Sequence, residues 1–157
     1  VGQNLGAGRP DRAIAAVKTA NRWGVGITVI VSVVMGLWPE PFLRVFSPDP
    51  EVLRLGVPYL RVLVLCFVVN GLEIVTSEAI VASGHTRAMS IIFTTFSLAR
   101  IPLAFVVPAW TGTGALGIAW VITVTCLVRG LLIVAWAARG TWTRGLRREL
   151  HGGVAAV

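Results

Sequence analysis

Four long apolar runs, each closed off by proline, glycine or basic residues, constrain this chain more than any other feature. They cover about Trp23 to Trp38, Leu60 to Ser83, Ala88 to Pro108 and Gly114 to Ala138. A helix needs about 20 apolar residues to cross roughly 30 Å of hydrocarbon at 1.5 Å per residue. The last three runs reach that length unaided, and the first reaches it by using residues before Trp23. The predicted fold class is therefore an all-α integral membrane protein with four transmembrane helices. Composition agrees: 55% of residues are hydrophobic and 13% charged, where a soluble domain carries about 25% charged residues. Mean hydropathy is +0.80. A water-soluble globule is excluded, because its core is built from short alternating segments rather than from runs of this length.

Local signals place the helix ends. Pro10 suits a first helical position and Asp11 the positive end of the helix dipole, so the first helix is predicted from there to Trp38. Pro39 to Pro48 reads as a loop. Asp49 is a good N-cap with Pro50 after it, opening a long helix that Pro58 is expected to kink and that ends at Ser83 and Gly84. The turn Ala109 to Thr113 separates the last two helices.

The formal charge of +7 and the sequence pI near 11.3 raise the question of nucleic acid. The bases, however, cap the apolar runs instead of lining one polar face. Arg9, Arg12, Lys18 and Arg22 precede the first span, Arg87 follows the second, and Arg139, Arg144, Arg147 and Arg148 follow the fourth. Four spans bring all of these to one side, which the positive-inside rule makes cytoplasmic. The plan is residues 1–22 as cytoplasmic loop and helix start, 23–138 as membrane domain, and 139–157 as a basic cytoplasmic tail. Both termini are cytoplasmic, the location is the cell membrane, and no nucleic acid is expected. Trp38 and Trp110 suit the outer interface; Trp23, Trp136 and Trp142 suit the inner one.

Cofactor and enzyme chemistry find no footing. Cys66 and Cys126 each sit alone in an apolar run, without a partner at Cys-x-x-Cys spacing, and read as packing residues. His85 and His151 lie at or beyond helix ends, so no Ser-His or metal constellation forms inside the spans. Gly2, Gly6 and Gly8 do not have dinucleotide-binding spacing and no strand precedes them; they read as a tight cytoplasmic turn. The chain opens at Val1 in the middle of this motif without a signal pattern, and is expected to be a piece of a longer protein.

With these segments marked, the opening Val1-Gly2-Gln3-Asn4-Leu5-Gly6-Ala7-Gly8, followed by Pro10, Asp11 and Arg12, resembles a loop of the multidrug and toxic compound extrusion (MATE) transporters that recurs in each half of those proteins. Phe46 with Asp49-Pro50-Glu51-Val52 and Tyr59-Leu60-Arg61 is similar to the segment before the family's tenth helix. Gly84-His85-Thr86-Arg87 resembles its next loop, and Arg100-Ile101-Pro102-Leu103-Ala104 its eleventh helix. Gly114 to Ala119 with Arg139, Gly140 and Trp142 resembles the last helix. The resemblance implies the last four of about twelve helices, part of a C-terminal lobe that encloses a central cavity with a missing N-terminal lobe. It also implies a structural role for Gly2, Gln3, Gly6 and Gly8.

The candidate functional residues are the ionisable ones inside the spans, where each charge costs on the order of 2.5–3.5 kcal/mol and must face protein or a wet cavity. Glu73, Arg100 and Arg129 all lie about 15 Å from the cytoplasmic ends of their helices, counted at 1.5 Å per residue. Glu78 is shallower and reads as structural or snorkelling. Cys66, Asn70, Glu73 and Ser77 recur every three or four residues, one polar stripe on an apolar rod. The resemblance implies that the carboxylate many cation-coupled relatives carry on this helix falls at Asn70, leaving Glu73 as the local acid that could replace it. Coupling of transport and neutralisation of Arg100 or Arg129 are both open to Glu73.

The resemblance implies secondary transport: proton- or sodium-coupled antiport exporting organic, often cationic, compounds by alternating access. Two alternatives stand beside it. A lipid-linked sugar flippase of related fold would use basic charge in its cavity, which Arg100 and Arg129 supply. An inactive truncated membrane scaffold is the other.

Overall fold

The computed structural model describes residues 1–139, and all of its regular structure is helical. Of the basic tail only Arg139 falls within this range; Trp142, Arg144, Arg147, Arg148 and His151 lie outside the described residues. Helix α1 spans Gly2–Gly6, α2 Pro10–Leu37, α3 Pro39–Phe46, α4 Pro50–Leu63, α5 Phe67–Ala82, α6 Thr86–Thr111 and α7 Ala115–Ala138. A 3-10 turn over Val64–Cys66 joins α4 to α5. Among the described residues, four stretches are long and apolar enough to cross a membrane: α2, α4 through α5 (Pro50–Ala82), α6 and α7.

The helix starts follow the local chemistry. Pro10 and Asp11 begin α2. Asp49 caps α4, its carboxylate accepting from the Glu51 backbone N–H at 2.9 Å. Arg54 then grips Glu51 through Nε and Nη2 at 3.0 and 2.7 Å. That hydrogen bond and the guanidinium charge hold the exposed Glu51 carboxyl below the usual carboxylate range.

Two local readings are corrected, and one feature of the second span is added. The loop Pro39 to Pro48 contains α3, begun by Pro39 and braced by the Arg44–Glu40 ion pair at 2.6 Å. Pro58 lies inside α4, and the helix tightens into a 3-10 turn further on, at Val64–Cys66. There the Cys66 thiol donates to the Leu63 carbonyl at 3.1 Å, and Thr123 of α7 donates to the Val62 carbonyl at 3.1 Å, so side chains satisfy backbone groups around the tighter turn. In the glycine-rich opening, Gly2 and Gly6 are helical and the turn is made at Gly8, with φ +67°.

Packing sets the spatial order. Helix α2 packs on α5, α4 and α5 pack on α7, and α6 packs chiefly on α7, so the third span in sequence is outermost next to the fourth. Helix α7 is the most enclosed; α2 and α6 turn Trp23, Ile27, Ile30, Leu98, Ile101 and Phe105 outward. Apolar faces of this kind belong against lipid or further protein. One core cluster, Val17, Ala79, Ile80, Met89 and Ile133, joins the early turns of α2, the end of α5, the start of α6 and the end of α7. These four helix ends therefore share one end of the bundle, and Val1 and Trp136 pack there as well. Trp136 lies edge-on to His85, ring centroids 5.9 Å apart.

Candidate functional site

Helices α5 and α7 run side by side in the same direction, and a ladder of contacts records their register. Thr123 meets Val62, Cys126 meets Cys66, Gly130 meets Val69, and Arg129 meets Glu73. Positions 62, 66, 69 and 73 recur at steps of three or four, as do 123, 126 and 130, with Arg129 beside Gly130 on the same side of α7, so the contacts stay on the facing sides of the two helices. Gly130 is what allows the approach: a Cβ there would lie 2.6 Å from Val69 Cγ1, 3.2 Å from Glu73 Oε2 and 3.4 Å from the Val69 carbonyl oxygen.

Glu73 is 1% exposed. Its Oε1 lies 2.7 Å from Arg129 Nε, an ion pair between side chains 1% and 11% exposed. The Nε–H does not point along that contact, so the attraction is ionic without a well-formed hydrogen bond, and Glu73 Oε2 has no hydrogen-bond partner. Phe93 of α6 closes the site, with Arg129 Cζ 4.7 Å from its ring centroid. Cation–π contact of this kind adds about 0.5–2 kcal/mol where the cation is desolvated. Three helices thus enclose one carboxylate and one guanidinium.

Arg100 takes a different partner set. Its Nε donates to Thr125 Oγ1 at 3.0 Å and its Nη2 to Cys126 Sγ at 3.3 Å, fastening α6 to α7 one turn from Arg129. Thr125 in turn donates its hydroxyl to the Val121 carbonyl at 2.7 Å. Ser77 is buried and spends its hydroxyl on the Ile74 carbonyl at 3.0 Å, while Asn70 is half-buried on the turn before Glu73. Glu78 is exposed. Glu73 faces α7, and Thr76, which is not among the stripe residues, faces α2, its Oγ1 accepting from Asn21 Nδ2 at 3.4 Å.

Sequence reasoning missed Phe93, Thr123, Thr125 and the meeting of Cys66 with Cys126. A signal for part of this was present, since Thr125, Cys126 and Arg129 recur at helical spacing on α7. For Phe93, one aromatic on an apolar helix, the sequence carries none.

Charges held between apolar helices define a polytopic membrane protein with a buried ionic layer. The MatE family matches residues 1–106, and the chain belongs to that family of membrane transporters. It is 25% identical over 146 residues to a Thermotoga maritima protein described as a probable multidrug resistance protein NorM, covering 92% of this chain and 31% of that relative. It is 28% identical over 142 residues to an FAD transporter of Shewanella oneidensis, covering 88% of this chain and 30% of the relative. The chain thus spans about a third of the length of these curated relatives. No solved structure was found to match it.

Proposed function

We propose that the chain forms the last four helices of an alternating-access exporter in the cell membrane, with both termini cytoplasmic. In this reading the exporter carries organic, often cationic, compounds against a proton or sodium gradient, and Glu73 is the ion-responsive group. The supporting observation is the half-satisfied carboxylate: Oε1 is held by Arg129 at 2.7 Å, while Oε2 is buried without a partner. A proton arriving on Glu73 neutralises it, releases its grip on Arg129 and changes the relative energy of the bundle's conformations, which is how ion binding biases an alternating-access equilibrium. Arg100, held by Thr125 and Cys126, keeps α6 and α7 together while Arg129 moves. Asn70 and Ser77 flank Glu73 on α5 as the neighbouring polar positions toward which a released ion is passed.

The test is Glu73→Gln in the full-length transporter, reconstituted in vesicles with a fluorescent cation and with separate proton and sodium gradients. Normal insertion with lost gradient dependence supports the coupling role. Retained coupling with a reduced protein level assigns Glu73 to bracing alone.

A second reading is favoured by the charge count in this layer, where two arginines, Arg100 and Arg129, accompany one carboxylate, and Arg100 is bonded to Thr125 and Cys126 rather than to an acid. A net positive layer suits an anionic cargo, such as the flavin dinucleotide named for the Shewanella relative or a lipid-linked sugar. Competition between a flavin dinucleotide and the fluorescent cation in the same vesicles separates the two.

A further inference from the structure

The two cysteines, read from sequence as isolated packing residues, meet in the interior of the bundle. Cys66 is 4% and Cys126 8% exposed, both are free thiols, and each contacts the other. The contacts on either side place the two residues opposite each other. On one side Thr123 is hydrogen-bonded to the Val62 carbonyl at 3.1 Å, and on the other Gly130 packs on Val69. Residues 66 and 126 occupy the rung between these two. At the next rung an added Cβ on Gly130 would lie 3.4 Å from the Val69 carbonyl oxygen, so the backbones approach closely beside the cysteine pair, and a disulfide forms between helices held near each other in this way, with Cα atoms about 4.4–6.8 Å apart. Cys126 Sγ is further fixed by Arg100 Nη2 at 3.3 Å.

We propose that Cys66 and Cys126 are a modification site, a dithiol that oxidation converts to an intrachain disulfide joining the 3-10 turn of the second span to α7. Cys66 ends the break Val64–Cys66, and a 3-10 segment within a long helix is where such a helix flexes. Cys126 precedes Arg129 by one helical turn. The cross-link therefore ties the flexing point of one span to the helix that carries the ion-paired arginine, whichever ion or substrate is transported. In the reaction the two S–H bonds are lost and one S–S bond forms. The two electrons and two protons reduce the oxidant, for which the azo bond of diamide serves, becoming a hydrazine. A dithiol reductant reverses the step.

The experiment treats membranes containing the protein with diamide, unfolds it in detergent, alkylates the remaining thiols and maps the peptides by mass. The expected result is joint loss of the alkylated Cys66 and Cys126 peptides and appearance of one joined peptide lighter by two hydrogens than their sum. It forms at all protein dilutions and disappears on reduction. Cys66→Ala and Cys126→Ala, small apolar replacements suited to a buried position, each leave the remaining thiol open to alkylation. Undiminished alkylation of both cysteines after oxidation overturns the proposal, as does linkage found only between separate chains.

Discussion

The buried ion pair makes its sharpest prediction as a double-substitution cycle with Glu73→Gln and Arg129→Met. Across the 2.7 Å contact the Coulomb attraction is about 6 kcal/mol at an effective dielectric constant near 20. Desolvation of two ions costs several kcal/mol each, so the pair as a whole contributes little net stability. Removing one partner is a different matter, since it leaves the cost without the attraction. Arg129→Met strands a carboxylate that is 1% exposed and should cost about 3–5 kcal/mol. Glu73→Gln should cost less, about 2–3 kcal/mol, because the guanidinium keeps the Phe93 face, 4.7 Å from Cζ, and is slightly exposed. The double variant removes both ions and should fall within about 1–2 kcal/mol of the parent, a coupling of about 3 kcal/mol or more. The assay is denaturant unfolding in lipid or mild detergent, with all four proteins compared at one pH. Costs that add within about 0.5 kcal/mol would refute the argument, because additivity is the signature of residues that do not interact.

The remaining predictions concern packing and orientation. A Cβ at Gly71 would lie 2.7 Å from Thr28 Cγ2, and Thr28 is held by its hydroxyl to the Gly24 and Val25 carbonyls at 2.9 and 3.2 Å. Gly71→Ala should therefore destabilise the α2–α5 contact by about 1–3 kcal/mol. Gly26→Ala, which meets nothing within 4 Å, should be neutral or gain up to about 1 kcal/mol from helix propensity, and equal effects at the two sites in unfolding assays would count against the packing account. Single cysteines at Arg12→Cys and Arg87→Cys should react with an impermeant maleimide only from the cytoplasmic side, with Gly112→Cys reacting from the other. Labelling of position 87 from outside would defeat the four-span topology.

The number of spans, the helix starts at Pro10 and Pro50 and the positions of the intramembrane charges were legible in the linear chain. Each depends on what lies within a few residues: an apolar run long enough to exclude water, a proline or aspartate where a helix must begin, a residue count that measures depth. The eight-residue α3 escaped this reading because two turns carry too little periodicity to separate a helix from a polar connection. The break at Val64–Cys66 escaped it because its stabilising partner includes Thr123, on another helix. The same limit governs the site. Depth and face made Glu73 a match for either arginine, and periodicity contains nothing about which helices are neighbours. Only the packed order, with α7 between α5 and α6, decides that Arg129 meets Glu73 and that Arg100 turns to Thr125 and Cys126. It also brings Cys66 to Cys126, because α5 and α7 are held in one register by close approach at a glycine, and a contact of that kind is a property of two surfaces rather than of either segment alone.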